Sequence, residues 1–408
     1  MSYHHRVMEG ALKRALTTFP VAFVGGPRQA GKTTLLRHAL DSKFRYINLE
    51  DPSERLRFSQ DPRGYLEALG SHVLFDEVQY APSLMTYLKV RIDADRKAGS
   101  YALTGSQSLS VMQGVSQSLA GRVAVLDLLP LGLEEARPGR SARATLKDLL
   151  KVPESPGKRP GQALSLADWV LRGTYPELRF NRKVDRQAWL SSYIQTYMER
   201  DVRSLLKVGD LNTFERFLRL CAARTGQELN LAQLGRDTGV SLPTAKAWLS
   251  VLEASHLVFL LQPWFENYGK RLVKAPKLYF YDTALACFLM DIHSPEGLMR
   301  GPAAGPLFET AVVSDWRKAF KHRGLLPSLY WWRSNDGIEV DLLIQWDGQL
   351  HAMEIKLTTD PTPVHAAGLQ RWGALSGAKA ATCRIIHGGD RLLAVAPGIA
   401  GVPWLAQA

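Results

Sequence analysis

Eight residues, Gly26-Pro27-Arg28-Gln29-Ala30-Gly31-Lys32-Thr33, read G-x-x-x-x-G-K-T and run through Thr34 into a helical stretch ending near Leu40. An apolar run, Val21–Val24, precedes them. Between a strand and a helix, this spacing makes a phosphate cradle. Gly31 lets the backbone turn with its N–H groups inward, and the helix start adds positive potential. Lys32 reaches the outer phosphates, and the Thr33 hydroxyl can ligate Mg²⁺. A glycine-rich turn that matched by chance would lack the second half of such a site.

The second half is present. The run His72-Val73-Leu74-Phe75 ends in Asp76-Glu77, where a phosphate-loop sheet places its Mg²⁺-side carboxylate. Asp76 is expected to hold the metal through water. Glu77 is suited to polarise an attacking water, which separates a hydrolase from a kinase or a switch. Tyr101-Ala102-Leu103 delivers Thr104-Gly105-Ser106 to the same sheet edge, where the Thr104 hydroxyl could sense the γ-phosphate or simply belong to a turn. Arg122, in Leu119-Ala120-Gly121-Arg122, could neutralise charge on the transferring phosphoryl group, in this chain or a neighbouring copy. It could equally be a surface arginine in an ion pair.

A second set of carboxylates lies near the carboxyl end. Ile338–Trp346 and Gln349–Leu357 are apolar-rich runs joined by Asp347-Gly348, a strong two-residue hairpin signal. With Trp346 facing Gln349, Asp341 falls opposite Glu354, their Cβ atoms about 4.5–5.5 Å apart. Two opposed carboxylates repel unless a cation lies between them, so the geometry suits a metal. Val340, Leu342, Ile344 and Trp346 would face the core, leaving Asp341, Glu354 and Lys356 on the other face. In the same register Glu339 faces Lys356, so a cross-strand ion pair is the competing use of that lysine. A β-bulge would break the register.

The elements that must position these groups follow from periodicity. Residues 1–135 alternate short apolar runs (Val21–Val24, Tyr46–Leu49, Val73–Phe75, Tyr101–Leu103, Val123–Leu128) with helical stretches, the pattern of a parallel α/β sheet. Residues 136–226 hold a Pro-, Gly-, Arg- and Lys-rich connection and then periodic helices, a helical lid. Residues 227–298 read as two short helices around Thr238-Gly239-Val240-Ser241, then two strands bracketing a basic stretch, a winged-helix pattern. Its second helix exposes little beyond Ser241, Thr244 and Lys246, so base reading is poorly supplied. The wing carries Lys270, Arg271, Lys274 and Lys277, which predicts sequence-independent contact with DNA backbone. Packing against protein is the alternative for this segment. Residues 299–408 begin with a helix, Leu307–Phe320, and continue through strands Leu329–Arg333, Ile338–Trp346 and Gln349–Leu357.

Composition narrows the class. The chain has 51 Lys+Arg against 39 Asp+Glu, a formal charge of +12, which favours a polyanionic partner over an anionic-metabolite scavenger. Cys221, Cys287 and Cys383 lie far apart without metal-ligand spacing. No apolar run approaches the roughly 18–20 residues that span a bilayer, and Val21–Val24 runs into the phosphate loop and not into a cleavage site. These features predict a cytoplasmic protein with no membrane partner.

Gly26–Thr34, Asp76-Glu77-Val78-Gln79, Leu103-Thr104-Gly105-Ser106, Leu119–Arg122 and Leu129-Pro130-Leu131 together resemble the prokaryotic AAA-family ATPases with a DUF4143 carboxyl-terminal region. Gly173-Thr174-Tyr175-Pro176-Glu177, Tyr197-Met198-Glu199-Arg200-Asp201-Val202 and Lys277-Leu278-Tyr279-Phe280-Tyr281-Asp282 extend the likeness over nearly the whole chain. The resemblance implies an ATP-dependent protein. Asp341…Glu354-x-Lys356 also resembles the PD-(D/E)xK nuclease superfamily, although Val340-Asp341 replaces its Pro-Asp. That likeness implies a restriction-endonuclease-like α/β domain in which Asp341 and Glu354 bind Mg²⁺ and Lys356 orients or activates water. Glu309, on helix Leu307–Phe320, matches the superfamily's helix-borne acid. The expectation is thus an ATP- and Mg²⁺-using enzyme of DNA processing, with homo-oligomerisation open. The alternative is a nucleotide-operated switch or assembly ATPase with a protein partner and a silent nuclease-like scaffold.

Overall fold

Alternation along five short apolar runs decides how the first part of the chain folds. Odd-numbered residues Val21, Phe23, Val73, Phe75, Tyr101 and Leu103 pack with Leu84, Met85, Leu88 and Ile92, while Ala22, Val24, Leu74 and Ala102 pack with Met8, Leu12, Leu35 and Leu36. A sheet covered on both faces in this way is the parallel α/β arrangement. The computed structural model describes residues 3–40, 42–105, 118–136, 144–152, 165–203, 211–265, 275–376 and 380–406. Strands β1 (Val21–Gly25), β2 (Arg45–Asn48), β3 (Val73–Asp76), β4 (Tyr101–Thr104) and β5 (Val123–Asp127) are all parallel, in the order β2-β3-β4-β1-β5. Helices α1 (Met8–Thr18) and α2 (Lys32–Ala39) supply one layer. Helices α3 (Pro52–Gln60), α4 (Pro62–Leu69) and α5 (Leu84–Ala94) supply the other. Asp51 and Asp61 cap α3 and α4, each followed by proline at the first helical position.

The chain divides into two units where the sequence suggests four segments: one of Met1–Leu131 with Ala254–His256 and Phe320–Leu325, the other of Gly132–Glu253, Leu257–Ala319 and Leu326–Ala408. In the second unit come helices α6 (Leu211–Ala223), α7 (Leu231–Thr238) and α8 (Leu242–Ala254), and Trp248 of α8 has its ring 5.1 Å from Phe214 and 5.4 Å from Phe217 of α6. The α7–α8 turn is made by Gly239 at φ +84°, whose N–H donates to the Gly235 carbonyl at 2.9 Å. Strands β6 (Gln227–Glu228), β7 (Val258–Pro263) and β8 (Lys277–Phe280) form an antiparallel ladder, β6-β8-β7.

Helix α9 (Ala304–Lys321) leads into β9 (Leu329–Arg333), β10 (Glu339–Trp346) and β11 (Gln349–Lys356), an antiparallel set. Helix α10 (Ala367–Ser376) then crosses to β12 (Ala380–His387), parallel to β11, and β13 (Leu393–Ala396) and β14 (Ile399–Pro403) finish the edge. One sheet of nine strands results, because β7 pairs in parallel with β9 through Gln262↔Tyr330 and Pro263↔Trp331. No described helix is long and apolar enough to cross a membrane.

Candidate nucleotide site and a second acidic site

The phosphate loop leaves β1 at Gly25 and is shaped by backbone angles that side chains disfavour. Gly26 has φ +139°, and a Cβ there would lie 2.1 Å from the Leu128 carbonyl oxygen, so only glycine fits. Gln29 and Gly31 also take positive φ, +61° and +92°. Gly31 caps α2 and, having no side chain, places no capping group over the first amides of the helix. Lys32 is folded back onto the start of the loop, with Nζ donating to the Gly26 and Pro27 carbonyls at 3.1 and 2.9 Å. Arg6, for which the sequence carries no local signal, is buried and donates to the Ala30 and Leu129 carbonyls, both at 2.9 Å. It pins the loop from behind.

Because β4 lies between β1 and β3, its last residue, Thr104, stands between the loop and Asp76. Thr33 Oγ1 donates to Asp76 at 2.9 and 3.2 Å. Two further donors converge on Asp76: the Tyr46 hydroxyl at 2.8 Å and the Glu77 N–H at 3.1 Å. Burial raises the Asp76 carboxyl above its usual range, and the Tyr46 and Thr33 hydrogen bonds oppose that rise. Burial and the bond to Asp76 likewise push the Tyr46 hydroxyl up. Glu77 has the left-handed φ of +56°, and the Gln79 amide donates to its carboxylate. The Thr104 hydroxyl and Gln79 Oε1 are buried without partners among the described residues. A Cβ on Gly105 would lie 2.6 Å from that Gln79 oxygen, so glycine keeps the space open.

Arg122 is brought elsewhere. It precedes β5, and the register Val21↔Val123 puts it at the amino ends of the strands, while the phosphate loop leaves their carboxyl ends. Its guanidinium pairs with Asp93 at 2.5 Å and donates to the Ala120 carbonyl at 3.0 Å. The ion-pair alternative describes it, and the expectation that it reaches the phosphates of its own chain is corrected by the parallel register.

The second site is built on the β10–β11 hairpin. Asp347 and Gly348 turn it with φ +50° and +74°, and the ladder runs from Trp346↔Gln349 to Leu342↔Met353, the register expected from the sequence. A bulge between Val340 and Leu343 does occur, but against β9. It places Val340 with Leu343 in the core of Ala352, Leu369, Trp372 and Ile385, while Leu342 and Ile344 are buried as well. The expected division into an apolar and an open face is therefore corrected: both faces are covered, and Asp341 and Glu354 are 6% and 7% exposed.

Lys356 Nζ lies 2.6 Å from Glu354 Oε1 and 3.5 Å from Asp341 Oδ2, so it joins these acids and not Glu339. Asp341 Oδ2 also accepts the Ile355 N–H at 2.7 Å. Glu339 pairs instead with Arg333 at 2.6 Å and with Lys277. Lys277 Nζ also lies 3.1 Å from Glu309 Oε1, which accepts the Tyr279 hydroxyl at 2.5 Å. Burial lifts the Glu309 and Glu354 carboxyls, and the Asp341 charge adds to both. Burial works against the Lys277 and Lys356 charges, yet the surrounding carboxylates hold both ammoniums above their usual range. Among the described residues no three His, Cys, Asp or Glu side chains converge as a ready metal-ligand set; lysines alternate with the acids.

Lys277 corrects the expected basic wing. It is 4% exposed and committed to carboxylates, so it cannot meet DNA phosphates. Lys270, Arg271 and Lys274 lie outside the described residues.

Residues 18–137 match a family model described as an AAA domain, residues 163–296 a domain of unknown function, DUF8612, and residues 304–405 another, DUF4143. Two relatives, the uncharacterized proteins Rv2008c of Mycobacterium tuberculosis and Mb2031c of Mycobacterium bovis, are each 30% identical over 408 residues, 99% of this chain and 84% of theirs. The chain belongs to the family of P-loop ATPases that join an AAA domain to a DUF4143 region. Among solved structures, the Walker-type ATPase PABY2304 of Pyrococcus abyssi matches 69% of this chain and 94% of its own at 17% identity and a TM-score of 0.41.

In a P-loop ATPase of this family, the residues around Asp76 suit Mg²⁺ by their donor set: a carboxylate already oriented by a threonine hydroxyl at a helix start. The ion would there offset charge on the phosphates. Sequence pattern assigns neither Tyr46 nor Gln79 a role of its own: the first reads as an ordinary strand residue and the second only as the end of the Asp76–Gln79 run.

Proposed function

We propose that this chain hydrolyses ATP with Mg²⁺ and uses the reaction to act on DNA. The observation that carries the ATPase part is the Thr33–Asp76 contact at 2.9 Å, which joins the helix start of the phosphate loop to the end of β3. Gly26–Thr34 hold the triphosphate through backbone amides, and Lys32 leaves the Gly26 and Pro27 carbonyls for the outer phosphates. Thr33 and Asp76 hold the ion, Glu77 takes the proton of the attacking water, and Thr104 reads the γ-phosphate. Arg122, paired with Asp93 far from this loop, could act only toward a neighbouring copy.

The DNA part is supported by the net charge of +12 and by the element order α6-β6-α7-α8-β7-β8, which fits a winged helix. The order α9-β9-β10-β11-α10-β12 around Asp341, Glu354 and Lys356 fits a PD-(D/E)xK core. Asp341 and Glu354, with Glu309 beside them, would hold Mg²⁺ there, and Lys356 would orient water. A second reading, a nucleotide-operated assembly ATPase with a silent scaffold, draws on the lysines that already neutralise these acids.

ATP turnover measured against duplex, single-stranded and branched DNA tests the reading. Lys32→Ala and Glu77→Gln are expected to abolish turnover under both readings, and Asp341→Ala to abolish Mg²⁺-dependent cleavage under the first. A turnover rate indifferent to every nucleic acid would favour the assembly reading.

A further inference from the structure

Lys277 and Glu309 are 32 residues apart in the chain, and Lys277 and Glu339 are 62 apart, yet one ammonium bridges both carboxylates. Tyr279, two residues along β8, donates to the same Glu309 oxygen at 2.5 Å. Strand β8, from the ladder beside the α7–α8 pair, thus contributes a cation and a donor to an acidic site otherwise built on α9, β10 and β11.

Five carboxyls, those of Glu228, Glu309, Glu339, Asp341 and Glu354, face three cations, Lys277, Arg333 and Lys356, and burial favours the neutral form at Glu309 and Glu354 while no further cation is bound. On the Asp341–Glu354 side two carboxyls share Lys356 alone, and Glu354 Oε2 is buried and has no partner among the described residues. Next to that oxygen α10 carries Gly368, where a Cβ would lie 3.3 Å from it and 2.3 Å from the Glu339 carbonyl oxygen. A divalent ion on Asp341 and Glu354 would give the orphaned oxygen a partner and favour both carboxylates in their charged form.

We propose that Lys277 is the built-in cation of this site, its ammonium standing between Glu309 and Glu339 where a second divalent ion would otherwise bind. The site then takes one divalent ion, on Asp341 and Glu354, and not the pair used by two-metal phosphoryl-transfer centres. This rests on the Mg²⁺ reading of the acidic site given above. Glu309 serves the lysine first, which distinguishes it from Asp341 and Glu354.

Mn²⁺ binding to nucleotide-free protein, followed by electron paramagnetic resonance, tests the assignment without relying on cleavage. All proteins carry Asp76→Asn so that the phosphate-loop ion is not counted. The parent is expected to bind one Mn²⁺, Lys277→Arg one, and Lys277→Met two, the second with affinity within tenfold of the first. Mn²⁺ is also expected to raise the melting temperature of Lys277→Met more than that of the parent, because it replaces the missing charge. One ion in both the parent and Lys277→Met, lost on Asp341→Asn, would overturn the role of Lys277 and leave the metal reading standing. No ion in any protein would sink both. A Lys277→Met chain that melts early and gains nothing from Mn²⁺ also overturns the proposal, because the lysine would then be a structural ion pair.

Discussion

Tyr46→Phe isolates one contact of the nucleotide site. The hydroxyl is one of three donors on Asp76, beside Thr33 Oγ1 and the Glu77 N–H. A hydrogen bond to a charged acceptor contributes about 1.5–3 kcal/mol net. Tyr46 is 37% exposed, so water can replace part of the lost bond, and about 1 kcal/mol is a better expectation. That corresponds to roughly a fivefold weaker hold on Mg²⁺. The ring itself should stay in place, since the Arg37 guanidinium lies 5.0 Å from its centroid and stacks equally on phenylalanine. The assay is ATP turnover against free Mg²⁺ at fixed ATP, with melting temperature as the fold control. The Mg²⁺ midpoint should rise about three- to tenfold, with maximal turnover within about twofold of the parent. An unchanged midpoint with a lowered maximal rate would refute the reasoning, because the hydroxyl would then act on the chemistry and not on the carboxylate.

Gly26→Ala should lower nucleotide affinity at least about tenfold, since both the positive φ and the Leu128 carbonyl force the loop to shift; fluorescent-nucleotide titration with parental affinity would count against it. Asp315→Asn bears on stability and pH. Burial raises the Asp315 carboxyl to about 6, with the Leu133 N–H at 2.6 Å opposing the shift. A raised folded value means that the folded chain binds the proton more tightly, so ionisation costs stability increasingly from about pH 4 and fully above about pH 6. Discounted for the partial exposure of this residue, the cost is on the order of 1–2 kcal/mol. The asparagine variant should therefore gain stability relative to the parent between pH 4.5 and 7.5 in urea unfolding, and an equal difference at both values would contradict the account.

The first sheet was legible because each of its strands is a short apolar run whose alternate residues serve different faces; Phe23 and Val24 carry that information locally. The β10–β11 register was legible for a similar reason, as Asp347-Gly348 permits few turns. Lys277 was not. In sequence it continues a basic run, and only the pairing of β8 with β6 and β7 turns it toward carboxylates far along the chain. Arg122 was left between several uses because a motif gives the order of elements but not which end of a strand faces the ligand. Arg6 was invisible, since a buried arginine that serves two carbonyls leaves no periodic trace. The three strands after residue 379 were missed because Gly and Pro interrupt β14 and its runs are short.

The two pairs Gln262↔Tyr330 and Pro263↔Trp331 have a mechanical meaning. With the Trp264 N–H donating to the Trp331 carbonyl at 2.6 Å, they rivet the ladder beside α7 and α8 to the strands that carry Asp341 and Glu354. A displacement that reached β7 would therefore pass to β9 and on to the β10–β11 hairpin along continuous main-chain pairing, with no flexible linker between them.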